Sequence, residues 1–342
     1  MLVMLNRLRL FAKNLFAQVR WKIVFLFFSC LLAGGVLFTR PPILQKLEFF
    51  FFDILIERLN PPPVREKIIA VLATERSMQA LQQWPWPRST HARLLGQLGL
   101  SKLVVLDILF SERSSAADDA LLTGAVKKKG DVVLAAHLAP GPDGRLSRLV
   151  LPYRELFDAS AGIGISNILP EQDGIYRNTI PFREIENEIV PSLPFAAFTA
   201  LQTQEPSILQ DGKNGRFIIS LPSRKLKLDD KTQHKIVHPR VEFPVYEYVD
   251  VLKGLVAPDV FRDAVVVVGI AATGAEDYFP IGRGRVLPGT LYNAHAIWTL
   301  LHGQIPVRCS PWVDAMLGGC AALLSITIVF RGGIRRSLFF FL

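Results

Sequence analysis

The sequence predicts an α/β domain: a mostly parallel sheet with flanking helices and an antiparallel insertion, anchored by transmembrane helices at both ends. Three observations predict it. Short β-branched, apolar runs recur at 67–72, 102–109, 131–136 and 264–270, as strands buried on both faces require. Helix-patterned stretches at 90–98, 118–128 and 290–301 accompany them, which parallel strands need for their crossovers. Two apolar runs, each with basic residues on its outer flank, bracket the whole.

The balance of residues fits that picture. The chain has 342 residues, 50% hydrophobic and 20% charged, with a mean hydropathy of +0.30. Soluble domains carry about 25% charged residues, so this chain is apolar beyond the ordinary, and much of its phenylalanine sits in runs near the two ends. Disordered, collagen-like and small disulfide-scaffold chains are excluded. Cys30, Cys309 and Cys320 make no disulfide framework. Eight of the nine net positive charges come from the ends: Arg7, Arg9, Lys13, Arg20 and Lys22, then Arg331, Arg335 and Arg336. Basic charge beside apolar segments is a membrane-topology pattern. A nucleic-acid partner is not expected, because a binding face would put its basic patch inside the folded domain.

Residues 1–22 read as a cytoplasmic basic leader and 23–39 as a transmembrane helix, whose uncharged stretch Ile23–Phe38 is slightly short of the roughly 17–25 residues a span needs. Trp21 and Lys22 extend it at the interface. A cleaved signal peptide is disfavoured, since Phe38-Thr39-Arg40-Pro41 is no small-residue cleavage site. Residues 313–330 read as a second transmembrane helix, with Asp314 near enough to its start to stay hydrated. The positive-inside rule then places both ends in the cytoplasm and residues 40–312 outside it. Residues 331–342 read as a cytoplasmic basic turn and the start of a truncated third span. The bilayer is therefore an expected partner.

Within 40–312, the proline-bounded stretch 41–63 reads as an amphipathic helix stopped by Pro61-Pro62-Pro63. The α/β alternation follows. The middle, about 160–250, carries shorter alternating strands, FIISL and KIVHP among them, and reads as an antiparallel insertion on the same sheet.

Catalytic signatures fail one by one. Gly269-Ile-Ala-Ala-Thr-Gly274 has phosphate-loop spacing after a strand, but Ala275-Glu276 stand where lysine and a hydroxyl belong. Its backbone N–H groups remain able to hold an anion, or the glycines simply make a turn. Gly162-x-Gly164 and Gly282-x-Gly284 lack the third glycine of a dinucleotide fingerprint. His234 and His238, on a strand, would sit roughly 13 Å apart, too far to share a metal. No catalytic residue, metal site or cofactor is expected.

Polar residues at strand ends remain. Asp107 interrupts a buried run and calls for a cation or backbone partner. Trp84-Pro-Trp86-Pro-Arg88 puts two indoles and a guanidinium on one braced loop. Asp173-Gly174 makes a turn with Arg177 just beyond, and Asp277 follows the Gly269–Gly274 loop. Each residue is either a strut or part of a ligand pocket, since α/β sheets bind ligands at strand C-termini. In the pocket reading, Trp84, Arg88, Asp107 and Asp277 line one cavity that favours an anionic small molecule.

These segments resemble a family. WPWPRSTHARLLGQL, LVVLDILFSE with Asp118-Asp119 after it, IGISNILPEQDGIYRNTIPF, AVVVVGIAATGAEDYFP and LPGTLYNAHAIWTLLHG occur in that order. Together they look like the extracytoplasmic sensory domain called CHASE, type two, of bacterial transmembrane receptors, across about residues 45–305. The resemblance implies a sensor for an unknown small-molecule ligand, a homodimer, further spans and a cytoplasmic output module, a nucleotide cyclase or a protein kinase, with no catalysis in the sensory domain itself. It also draws attention to Asn293 and His295, which match the polar pair of the family's last helix with the two residue types exchanged. Where the family has aspartate ahead of the Trp-Pro motif, this chain reads Ala73-Thr74-Glu75-Arg76-Ser77. A membrane-tethered enzyme and a structural dimerisation module are the alternative readings.

Overall fold

The computed structural model describes residues 27–28, 35, 42–58, 66–82, 84–141, 144, 146–185, 188–204, 206–210, 217–220, 225–227, 234–236, 243–272, 278–302, 312–313, 316–324 and 327. The leader, most of both apolar runs, the tail 331–342, Pro61–Pro63, His238, Gly274 and Asp277 lie outside them. The chain divides into two units, residues 1–51 with 308–342, and residues 52–307. In the first, the described residues 27–28, 35, 42–51, 312–313, 316–324 and 327 are helical. Among the described residues, no helix is long and apolar enough to cross a membrane.

Helix α1 (Pro42–Arg58) leads into the second unit. That unit is built on strands β1 (Lys67–Ala73), β2 (Leu103–Leu109), β3 (Val132–Pro140), β4 (Leu146–Val150) and β5 (Gly162–Ile165). Two later strands, β13 (Val245–Glu247) and β14 (Ala264–Ile270), return to the same sheet. Its order is β13-β1-β14-β2-β3, with β4 and β5 both paired to β3. Every pairing is parallel except that of β4. β14 is inserted between β1 and β2, in register Val267 with Ala70 and Val105. The strands of the 102–109 and 264–270 runs are thus direct neighbours.

These runs are apolar throughout because both faces are covered. Along β2, Val104, Leu106 and Ile108 enter one core, and Leu103 and Val105 the other. The first face carries α2 (Glu75–Leu81), α3 (Arg88–Gln97), α4 (Ala116–Lys129), α5 (Arg154–Ala159) and α7 (Tyr248–Leu252). The second carries α6 (Leu193–Ala200) and α8 (Gly289–His302), through Leu193, Ala197, Ala294, Ile297 and Trp298. Helix α4 shows why the sequence stops and starts where it does. Ser115 accepts from the Asp118 amide at 3.1 Å, acids fill the first turn and lysines the last, and Gly130 ends it at φ 78°.

The insertion departs from expectation. β9 (Ser207–Gln210), β10 (Phe217–Ser220) and β11 (Lys225–Lys227) form their own antiparallel sheet instead of extending the main one. β6 (Asn178–Thr179) with β12 (His234–Lys235), β7 (Phe182–Ile185) with β8 (Glu188–Pro191), and β15 (Tyr278–Gly282) with β16 (Arg285–Pro288) are separate pairs. These short strands pair among themselves, and through Phe182 and Ile219 they pack against Phe195 and Phe198 of α6 and Leu300 of α8.

Candidate functional site

At the C-terminal ends of the strands, Gly269 lies beside β2 and under the start of α8. A Cβ on Gly269 would fall 2.0 Å from Thr290 Oγ1, so only glycine lets α8 approach the strand this closely. The approach brings two donors onto Asp107: Thr290 Oγ1 donates to Oδ2 at 3.1 Å and Asn293 Nδ2 to the same oxygen at 3.0 Å. Burial pushes the Asp107 carboxyl up from its ordinary value, and the two hydrogen bonds pull it back in part. In place of the cation or backbone partner expected for it, Asp107 has neutral side-chain donors at a helix N-terminus, whose dipole favours negative charge there. His295, two residues on, is buried and packs at a tilt 4.8 Å from the Phe243 ring. Burial, with the Arg285 charge, lowers its imidazole to about 3, so it is neutral in ordinary conditions.

Asn293 also lines a small cleft that is partly open to solvent. The cleft lies beyond the C-terminal end of β5, between the start of α6, the β6–β7 segment and α8. Gly164 makes the β5–α6 approach possible, since a Cβ there would stand 2.5 Å from the Leu193 backbone. Its polar lining includes Ser166, Asn167, Thr179, Arg183 and Ser192. Asn167 is fixed by the β3 backbone, accepting from Leu138 N at 2.6 Å and donating to Leu138 O at 3.0 Å. Arg183 is partly buried, and among the described residues its side chain makes no ion pair or hydrogen bond; burial pulls its guanidinium below the ordinary value.

The Trp-Pro loop lies on the opposite face of the sheet. Trp86 is buried, donates from Nε1 to Gln82 O at 3.0 Å, and packs 5.0 Å from Trp84 and 4.9 Å from Tyr248. His91 joins them, its Nδ1 sharing a 2.9 Å hydrogen bond with the Tyr248 hydroxyl, and burial followed by the Arg88 charge lowers it to about 3. The Arg88 guanidinium lies 4.7 Å over the Phe110 ring, donates to Glu112 O at 3.1 Å, and has its Nε 4.0 Å from Asp119. Trp84, Trp86 and Arg88 are therefore divided from Asp107 by the sheet, and the single cavity expected for them is not formed. The physical reason is the two-residue period of β2, which sends Asp107 with Val105 and away from Leu106.

Asp173 and Arg177 do come together, in a third place. Arg177 donates to Asp173 at 2.9 Å and Glu171 at 3.0 Å, and bidentately to Asp53 of α1 at 2.7 and 2.9 Å. Burial opposes its charge, yet the hydrogen bonds and fields of Asp53 and Asp173 hold it above its ordinary value. Tyr292 Oη donates to Asn178 O at 2.8 Å, fixing this loop to α8.

Two groups of residues escaped the sequence reading. Thr74 and Ser77, noted there only as a departure from the family pattern, hold the Glu247 carboxylate: Thr74 Oγ1 donates at 2.8 Å, Thr74 N at 3.2 Å, and Ser77 Oγ donates as well. Arg183 carried no signal, because a lone arginine in a short polar strand looks solvated. Among the described residues, no group of three or more His, Cys, Asp or Glu is placed to hold a metal ion.

A family model described as CHASE2 domain matches residues 24–330. No curated protein and no solved structure matches the chain.

Proposed function

The chain belongs to the CHASE2 domain family, extracytoplasmic sensory domains of receptors, and we propose on that ground that it is a membrane-anchored sensor. Residues 23–39 and 313–330 anchor it, residues 40–312 lie outside the cytoplasm, and a small molecule bound there alters a cytoplasmic output module, in a homodimer. The observation that carries this reading is the extent of the family match, which takes in both apolar runs and all that lies between them. The placement of eight net positive charges on the outer flanks supports the orientation. The cleft at the end of β5 supports the binding role, because it lies where parallel sheets hold their ligands.

The test is topological. Alkaline phosphatase, active only outside the cytoplasm, is fused after Thr203, in the exposed turn following α6. The fusion is expected to be active, and a green fluorescent protein fused at the same place dark. Fluorescence with inactive phosphatase would put the domain inside the cell and end the sensor reading.

A further inference from the structure

We propose that helix α1 lies along the surface of the phospholipid bilayer, with Leu47, Phe50, Phe51 and Leu55 in the lipid. The inference rests on the membrane-anchored reading and adds to the two spans a third contact with the membrane.

Helix α1 has two apolar faces, one covered and one exposed. At about 100° per residue, Phe50, Ile54, Leu47, Phe51 and Leu55 follow one another around an arc of about 140°. Leu47, Phe50, Phe51 and Leu55 are between 47% and 63% exposed. Phe52 and Asp53 straddle the opposite side of the helix. Phe52 packs against the core of Leu193, Ile297 and Trp298. Asp53 accepts from both arms of the buried Arg177 guanidinium at 2.7 and 2.9 Å. Gly282, at φ 98°, permits that pairing, because a Cβ there would stand 2.8 Å from Asp53 Oδ2. These contacts fix the rotation of the helix. Turning Leu47 and Phe51 inward would draw Asp53 away and strand a buried cation, which is strongly unfavourable.

The occupant of the exposed arc follows from chain length and from width. Three residues separate the uncharged run Ile23–Phe38 from Pro42, so α1 starts no more than about 15 Å from the end of that run. A helix next to a span lies in the interface when large apolar side chains fill one face and charged ones rim it. Lys46 rims this arc on one side and Glu48 on the other, both exposed. Arg58, in the last turn of the arc, has a stem long enough to lie on the lipid with its guanidinium among headgroup phosphates. A second copy of the chain is the other surface that would cover such a face. Two paired helices bury a narrower seam of a and d positions, which would leave Phe50 or Leu55 in water.

Nitroxide labels on the intact chain in phosphatidylcholine–phosphatidylglycerol nanodiscs test this. Cys30, Cys309 and Cys320 are replaced by serine, and single labels are set at Leu47→Cys, Phe51→Cys, Leu55→Cys and, on the rim, Lys46→Cys. Collisions with oxygen, which concentrates in lipid, are compared with collisions with a water-soluble nickel chelate. Oxygen is expected to dominate at positions 47, 51 and 55, and the chelate at position 46. The chelate dominating at all four positions would put the face in water and overturn the proposal. Exclusion of both colliders, with spectra broadened by the labels of a second copy, would overturn it in favour of a helix pair. The failures are separable. A chelate-dominated face in a chain whose Thr203 phosphatase fusion is active would end this inference and leave the sensor reading standing. An oxygen-dominated face with an inactive fusion would keep the lipid contact and remove the sensor reading.

Discussion

The two faces of the central sheet are covered by helices of similar kind, yet they are built to different ends. On the face of α3, α4 and α7, the polar groups among the aromatic rings turn to one another and to nearby carbonyls: the Trp86 indole to Gln82 O, His91 to Tyr248, Arg88 to Phe110 and Glu112, with only Arg88 Nε left without a hydrogen bond among the described residues. On the face of α6 and α8, two glycines draw helix N-termini onto strand ends, and the polar side chains of Asn167, Ser192 and Asn293 collect around a small cleft. The first arrangement gains stability from filled volume. The second gathers polar side chains at the ends of parallel strands, the place where such sheets hold ligands. Aromatic residues near a strand end are therefore no guide to a pocket.

The largest effect should come from the filled face. Trp86→Ala is expected to cost about 3–5 kcal/mol, because the indole is only 3% exposed and rests on Trp84 and Tyr248. Denaturant unfolding of the intact chain measures it. A loss below about 1 kcal/mol would mean that the ring does not fill core volume, and the contrast between faces would collapse.

Much of the fold was legible and the division between faces was not, for a physical reason. Ile68–Ala73, Leu103–Leu106 and Ala264–Val268 are apolar at consecutive positions because both sides are covered, and that same continuity removes the alternation that would tell one side from the other. Asp107 and the Trp-Pro loop thus looked like neighbours. The insertion was misplaced because strands of two to five residues carry too little pattern to say which sheet they join. Thr74 and Ser77 serve a carboxylate 173 and 170 residues away, a pairing no local pattern announces. Asp173 with Arg177, close in sequence, was legible as a pair; the bidentate contribution of Asp53, 124 residues earlier, was not.

A middle-sized effect would sharpen the account of the second face. Gly269→Ala sets a methyl against Thr290 Oγ1 and is expected to cost about 1–3 kcal/mol. Much of that strain comes from the threonine side chain, so the double variant Gly269→Ala, Thr290→Ala should lose less than the sum of the two single variants. A double-mutant cycle in denaturant reads the coupling. Additive losses would mean that α8 simply moves away, and that the glycine does not set the approach.

The smallest effect, and the one that discriminates best, lies at Asp107. A buried carboxylate paired with a cation would lose about 3–5 kcal/mol on removal of its charge, but here Thr290 and Asn293 are neutral donors to one oxygen. Asn offers an equivalent oxygen to both, so Asp107→Asn is expected to change stability by about 1 kcal/mol or less. The pH dependence fixes the direction. Burial raises the folded carboxyl above its unfolded value, so between the two values the unfolded chain binds fewer protons. Stability therefore falls as pH rises from the unfolded value through the folded one. Asn cannot ionise, so Asp107→Asn should remove this fall and stand higher relative to the parent chain at pH 7 than at pH 4. Denaturant melts of both chains at the two pH values measure the difference of differences. A loss above about 2 kcal/mol at pH 7, larger than at pH 4, would show an ionised carboxylate with a cation beside it, and the two faces would then be alike in spending their charges locally.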